Sequence, residues 1–218
     1  MTNHLYIIDT DILNDESVFC KQYEIMTEHR KKKIDSFCFL KDKKLSLGAG
    51  ILLREVFIRE KILLNDADIY YNKNEKPYIK VKKDFYFNIS HSGKYAVCAV
   101  SDRNIGVDIE KWQHFEEGVI EYIYLSDEIK SAALYPGSPE RYYTKLWTIK
   151  ESVMKYYGTG LSLEPQKITI NSEDPIKVSC EEFDTSALYF KQYEIPGYFI
   201  TVCSEYPVFS ECIEWINI

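Results

Sequence analysis

The sequence holds no Cys-x-x-Cys pair and no Cys/His group at zinc spacing. Its six cysteines stand apart at 20, 38, 98, 180, 203 and 212, which excludes zinc ribbons and thioredoxin-type dithiols. No secretion signal is visible, so a disulfide framework is not expected in a chain this long. Cys98 and Cys203 sit inside apolar runs and read as small core residues. Glycine and proline are scarce, with 9 and 7 copies, which excludes collagenous and low-complexity chains. No apolar run approaches membrane-spanning length, and MTNHLYIIDTDIL lacks a basic region ahead of a long apolar stretch. The expected location is the cytoplasm, with no membrane partner. A basic excess is missing too: 27 Lys and Arg against 34 Asp and Glu give a formal charge of −7. That excludes general nucleic-acid binding, which needs a basic footprint on the whole domain, but not a small anionic ligand held by a local cluster of cations.

What the chain does have is a 45% apolar fraction, enough over 218 residues for one large core or two small ones. Its 18 tyrosines suit strands and binding surfaces and single out no activity. Leu5 to Ile8 reads as a first strand. Asp15 to Cys38 reads as helical, restarting at Thr27-Glu28; it contains the run Arg30-Lys31-Lys32-Lys33, whose plain reading is a solvated helix face. Residues 41–62 form a longer helix, with Leu45, Ile51, Leu52 and Val56 on an inward stripe. Short strands at 68–71, 78–81 and 85–89 flank a turn from Asn72 to Pro77. Tyr95 to Val100 and Ile105 to Glu110 follow one another at hairpin distance. Ser126 reads as an N-cap ahead of acidic Asp127 and Glu128. A helix from about Glu140 to Tyr157 stops at Gly158 and Gly160. Strand signals at 168–170, 176–178, 188–193 and 198–203 complete the chain. Two halves of similar size emerge, with no linker between them. The expected fold is an α/β protein of two similar, closely packed lobes, 1–104 and 105–218, with a site between them. The pentapeptide Lys-Gln-Tyr-Glu-Ile occurs at 21 in helical context and at 191 in strand context, and is read as coincidence.

The chemistry concentrates in Asn88 to Glu110. On a strand, Gly106, Asp108 and Glu110 point one way while Ile105, Val107 and Ile109 point the other. With the apolar set in the core, both carboxylates are presented on the open face, roughly 6.5–7 Å apart at Cα and near enough to grip one hard cation. Two ordinary acids on a solvated strand edge fit the same pattern. Leu146, Ile149, Val153 and Tyr157 form one helical stripe, whereas Trp147, Glu151 and Lys155, each four apart, line a nearly opposite face. That triplet is either a surface Glu-Lys pair or a carboxylate and an ammonium aimed into a cleft. In the second case three carboxylates suit Mg²⁺ or Mn²⁺, and Lys155 neutralises charge on a transferred phosphoryl group. Ser90-His91-Ser92-Gly93 lacks the strained G-x-S-x-G elbow of a nucleophilic serine. Its hydroxyls, imidazole and backbone N–H groups suit an anion, or serve only a structural turn.

In order along the chain, Lys76-Pro77-Tyr78, Phe87-Asn88-Ile89-Ser90-His91-Ser92-Gly93, Ile105-Gly106-Val107-Asp108-Ile109-Glu110, Leu146-Trp147-Thr148-Ile149-Lys150-Glu151-Ser152 with Lys155, and Gly158-x-Gly160-Leu161-Ser162-Leu163 form a set. Each motif is weak alone. The ordered set resembles the 4′-phosphopantetheinyl transferases, of the monomeric, two-lobed type that activates surfactin synthetase and related peptide synthetases. The resemblance covers nearly the whole chain.

It implies an α+β fold of two lobes related by a pseudo-two-fold axis, the first for coenzyme A nucleotide binding and the second for the metal and catalytic carboxylates. The implied reaction transfers 4′-phosphopantetheine from coenzyme A to a serine hydroxyl of an apo acyl or peptidyl carrier protein, releasing adenosine 3′,5′-bisphosphate. By position, Asp108, Glu110 and Glu151 would hold Mg²⁺ against the coenzyme A pyrophosphate. Glu151 would also deprotonate the carrier serine, directly or through water. Lys155 would bind the pyrophosphate and assist the leaving group. Lys76 and Pro77 would border the adenine, and Ser46, Ser90, His91 and the basic run, with Arg30 and Lys33 at the best-matching positions, would receive the 3′-phosphate. Phe115 to Tyr124 is where the family places carrier-protein contacts. Glu75 departs from the Gly often found before Lys-Pro, and Leu45 from an Arg often found beside Ser46. Two rival readings use the same residues: a divalent-metal hydrolase of coenzyme A or nucleotide pyrophosphates, and an inactive carrier-binding module.

Overall fold

The first apolar run begins a repeat that the chain carries out twice. In the computed structural model, which describes residues 2–62, 69–74, 76–80 and 84–218, the first half runs β1 (His4–Asp9), α1 (Glu16–Glu24), α2 (Glu28–Asp35), α3 (Leu40–Arg59), a ribbon of β2 (Ile69–Tyr71) and β3 (Pro77–Ile79), β4 (Tyr86–Ser92) and β5 (Tyr95–Ser101). The second runs β6 (Ile105–Lys111), α4 (Glu117–Ile123), α5 (Ser126–Ala132), α6 (Pro139–Tyr157), a ribbon of β7 (Ile168–Glu173) and β8 (Ile176–Cys180), β9 (Tyr189–Ile195) and β10 (Tyr198–Ser204), followed by β11 (Glu214–Trp215). The sheets are ordered β11-β1-β5-β4 and β6-β10-β9. Setting β11 aside, each places its half's first strand beside the last and the penultimate strand at one edge. This repeat is the pair of similar lobes expected from the sequence.

Local chemistry sets most helix ends. Asp15 accepts from the N–H groups of Ser17 and Val18 at the start of α1, and Thr27 accepts from Arg30 N at the start of α2. Ser138 caps α6, Pro139 opens it, and Gly158 ends it with φ 67°. The cap of α5 falls one residue before the expected Ser126: Leu125 holds the cap position, and its N–H is satisfied by the Glu128 carboxylate at 2.8 Å. Among the described residues no helix is long and apolar enough to cross a membrane. Glu75 lies outside the described residues.

Three apolar layers hold the lobes. Ile51, Leu52 and Val56 of α3 pack on the first sheet, and Leu146, Ile149 and Val153 of α6 pack on the second. Between the sheets, Leu5, Ile7, Val97 and Ala99 meet Ile105, Val107, Ile109, Ile200 and Val202. Each such large aliphatic side chain contributes about 1.5–3 kcal/mol on full burial. The layer between the sheets overturns the expected hairpin of the fifth and sixth strands. β5 pairs with β1 and β4, whereas β6 pairs with β10. The two strands stack face to face because the Ile105, Val107 and Ile109 face of β6 is buried against Val97 and Ala99 of β5. The C-terminal segment returns to the first lobe, with β11 parallel to β1 and Ile216 in its core.

Candidate active site

Where the sheets meet, the edge strands β4 and β6 are joined by side chains. Asn88 Oδ1 accepts from Val107 N at 2.9 Å. Ser90 Oγ donates to Asp108 Oδ1 at 2.8 Å. Ser92 Oγ donates to Glu110 Oε2 at 2.8 Å and accepts from Lys111 N at 3.1 Å. Asn88, Ser90 and Ser92 share one face of β4 because side chains alternate along a strand. The face of β6 expected to be open is instead covered: Asp108 is 1% exposed. The cover is α6, and Gly106 allows it, since a Cβ there would lie 2.1 Å from Ser152 O and 2.6 Å from Tyr156 N. That close approach delivers Lys155 Nζ to 2.5 Å from Asp108 Oδ1, 2.7 Å from Ser90 Oγ and 3.9 Å from Glu151 Oε2.

These groups line one side of an inter-lobe cavity of about 430 Å³. Asp108, Glu110, Glu151, Lys155 and Trp147 belong to the second lobe, while Arg30, Lys33, Ser90, His91, Lys76 and Pro77 come from the first. Tyr71, Asn74, Gly158 and Gly160 complete much of the wall. Among the described residues, neither the Arg30 guanidinium nor the Lys33 ammonium has a hydrogen-bond or ion-pair partner. Gly50 makes room for the Arg30 stem, whose Cγ and Cδ lie 3.2 Å from where a Cβ would stand. Ser46 is buried on α3, its hydroxyl without a partner, and is not part of the cavity wall.

The electrostatics divide this space. Burial, then the Asp108 charge, pushes the Glu110 and Glu151 carboxyls up to about 7. Burial works against the Lys155 ammonium, but Asp108 and Glu151 outweigh it and hold its pKa above the ordinary lysine value. Burial, then the nearby Lys155 charge, lowers the His91 imidazole. Burial lowers Arg30 as well. One region therefore crowds three carboxylates around one ammonium, and another offers cations that have no counter-ion among the described residues.

The carboxylate region has the donor set of a hard divalent cation. Asp108 Oδ2 is buried without a hydrogen-bond partner, a costly state that a metal–oxygen bond would relieve. Glu110 and Glu151 supply the further oxygens. Among the described residues, no three His, Cys, Asp or Glu side chains already enclose such a position; Lys155 holds Asp108 Oδ1 instead. The residues present fit the group.

Some roles at the site were not legible in the sequence. Ser92, expected to face an anion or serve a structural turn, and Asn88, present only as part of a motif, instead bond β6, a role signalled only by the polar alternation of Asn88, Ser90 and Ser92. Asn72, Asn74 and Asn104 bond the end of α6, and no sequence signal points there, because the partners lie far apart in the chain. The expected carrier segment is only partly exposed. Phe115, Ile123 and Tyr124 are core residues, while Val119 and Tyr122 are 43% and 54% exposed.

Two family models divide the chain. Residues 14–103 match "4′-phosphopantetheinyl transferase, N-terminal" and residues 104–203 match "4′-phosphopantetheinyl transferase superfamily". The chain is 33% identical over 198 residues to the 4′-phosphopantetheinyl transferase Sfp of Bacillus subtilis (strain 168), covering 88% of each chain. It is 28% identical over 196 residues to the 4′-phosphopantetheinyl transferase gsp of Aneurinibacillus migulanus, covering 87% of this chain and 81% of that one. Against the human L-aminoadipate-semialdehyde dehydrogenase-phosphopantetheinyl transferase it is 28% identical over 156 residues, 63% of this chain and 50% of that one.

Proposed function

The chain belongs to the 4′-phosphopantetheinyl transferase superfamily, and we propose that it moves phosphopantetheine from coenzyme A to a serine hydroxyl of an apo carrier protein, releasing adenosine 3′,5′-bisphosphate. The observation that carries this reading is the two-part cavity: Arg30 and Lys33, without counter-ions among the described residues, and three carboxylates around Lys155, in one inter-lobe space. Coenzyme A has a 3′-phosphate and a pyrophosphate, and each finds a complementary region.

In this reading the first lobe, residues 1–104, binds the nucleotide. Arg30, Lys33 and His91 receive the 3′-phosphate as charge and hydrogen-bond partners, and Pro77 with Tyr71 borders the adenine. Ser90 keeps Asp108 and Lys155 in place, its hydroxyl being engaged by both. The second lobe, residues 105–218, carries the chemistry. Asp108, Glu110 and Glu151 would hold Mg²⁺, or Mn²⁺ in its place, which when bound neutralises the pyrophosphate oxygens. Lys155 offers a fixed positive charge to the departing phosphate. Glu151 takes the proton of the incoming serine, directly or through water. The carrier docks beside α4, where Val119 and Tyr122 are exposed. The described wall residues all come from one chain, which supports a monomeric enzyme.

The test incubates the protein with apo carrier proteins, coenzyme A and Mg²⁺ and weighs the carrier. The expected result is a gain of one phosphopantetheine, abolished in Asp108→Ala and Glu151→Ala variants that remain folded. No gain with several carriers, in assays where a known transferase works, would overturn the reading. Release of adenosine bisphosphate without any carrier would favour a coenzyme A hydrolase.

A further inference from the structure

The resemblance implies that Lys76 borders the adenine of the coenzyme, yet its ammonium is fully engaged within the protein. Nζ donates to Asn104 Oδ1 at 3.0 Å, Ile105 O at 3.3 Å and Tyr156 O at 2.8 Å. An ammonium has three N–H donors, so none is left to aim into the cavity that the side chain lines. Its neighbours converge on the same place. Asn72 Oδ1 accepts from the N–H groups of Asn74 and Lys76, both at 2.9 Å. The side-chain amides of Asn72 and Asn74 donate to Gly158 O at 3.2 and 2.6 Å, and that of Asn104 donates to Tyr156 O at 2.9 Å.

The last carbonyls of a helix have no partner inside it, and the helix dipole favours positive charge at that end. Here the end of α6 is satisfied from the other lobe. The fit is close: a Cβ on Gly158 would lie 2.6 Å from Asn72 Nδ2 and 3.3 Å from Lys76 Cδ. Lys155 immediately precedes Tyr156, while Tyr71, Asn74 and Pro77 form the facing wall of the cavity.

We infer that Lys76 is a positioning residue and not an anion ligand: with Asn72, Asn74 and Asn104 it clasps the end of α6 and sets Lys155 against the nucleotide wall. The inference rests on the coenzyme A reading of the cavity. It assigns Lys76 an effect on coenzyme affinity that passes through geometry, not through charge neutralisation.

Charge contacts and geometry separate in two measurements. The affinity of an ammonium for a phosphate falls with salt, and a 3′-phosphate ligand is felt only by a coenzyme that has that phosphate. Calorimetry with coenzyme A and 3′-dephospho-coenzyme A, each at low and high salt, is compared for the wild type, Lys76→Met and Asn104→Leu. Lys76→Met keeps most of the stem and removes the charge, whereas Asn104 carries no charge and is not part of the cavity wall. The expected result is that Lys76→Met weakens both ligands equally, by about tenfold, the order expected for a lost hydrogen bond to a charged group. Its salt dependence stays that of the wild type, Asn104→Leu reproduces the loss, and the double variant loses little more than either single one. A flatter salt dependence in Lys76→Met, or a loss confined to the 3′-phosphorylated ligand, would overturn the inference. Wild-type affinity in Asn104→Leu would overturn it as well, and that variant decides alone if Lys76→Met does not fold. A wild type that binds coenzyme A in neither condition would instead overturn the coenzyme A reading itself.

Discussion

Ser90 of β4 donates to Asp108 of β6 at 2.8 Å, and the same hydroxyl accepts from Lys155 at 2.7 Å. One short side chain of the first lobe thus fixes the two oppositely charged groups of the second. It uses only one oxygen of Asp108 and leaves Oδ2 free for a ligand.

Replacing Ser90 by Ala removes a buried hydrogen bond to a charged group and should cost about 1.5–3 kcal/mol of stability. A urea titration measures the loss. Transfer activity should fall but persist, since Asp108, Glu151 and Lys155 remain. Unchanged stability together with unchanged activity would show that the hydroxyl has no part in the site.

Glu110 and Glu151 bear on pH and metal binding. Their carboxyls rise from an ordinary value of 4.5 to about 7 in the folded protein, through burial and the Asp108 charge. Between those values the native state holds protons that the unfolded chain has released, so stability falls as pH rises through this window. A divalent cation needs the ionised forms and so competes with those protons. The thermal upshift produced by MgCl₂ should therefore be larger at pH 8 than at pH 5.5. Equal upshifts at both values would argue against binding by these carboxylates.

Gly106→Ala should prevent correct assembly of the second lobe. The added Cβ meets backbone atoms, Ser152 O and Tyr156 N, which cannot turn aside as a flexible side chain can. Overpacking typically costs about 1–3 kcal/mol, and contact with rigid backbone puts this case at the upper end. Circular dichroism melting would show a large drop in Tm; a wild-type Tm would mean that α6 can stand further from β6.

Lys150 is wholly buried beside Glu151. Its ammonium donates to Ile123 O, Glu128 Oε2 and Pro165 O at 3.1, 2.9 and 3.3 Å, tying α6 to both ends of the α4–α5 connection and to the loop after the helix. Lys150→Met strands the Glu128 carboxylate and should cost about 3–5 kcal/mol, the scale for breaking a buried pair. Adding Glu128→Gln should recover part of it. A denaturation series over the two single variants and the double one checks both statements, and equal stability for Lys150→Met and wild type would show the pair to be idle.

Much of the fold was legible because its signals are local. Thr27 and Gly158 mark helix ends through bonds or backbone angles within a few residues of themselves, and the spacing of Trp147, Glu151 and Lys155 already places them on one face of a helix. The candidate site was legible to the same degree: the three carboxylates and Lys155 line one cavity with Arg30, Lys33 and His91. The partners that hold them were not legible. Ser90 meets Asp108 across 18 positions and Lys155 across 65, and the carbonyl of Tyr156 is 80 positions from Lys76.

The sequence by itself determined the helix ends, the strands and the chemical types gathered at the site, because caps, left-handed glycines and apolar periodicity act over one or two turns of chain. Tertiary structure decided what five residues alone leave open. Lys-Gln-Tyr-Glu-Ile lies at the end of α1 at 21–25 and forms part of β9 at 191–195, the difference being the β10 ladder that pairs the second copy. It also stacked β6 on β5 face to face where sequence distance allowed a hairpin, because the apolar face of β6 is removed from water against Val97 and Ala99 of β5. That stacking brings the edges of the two sheets together and closes the cavity. Lys76 shows the same division: its charge is written in the sequence, but whether it meets a ligand or the end of α6 was settled by which unpaired carbonyls the packing of the lobes brought within its reach.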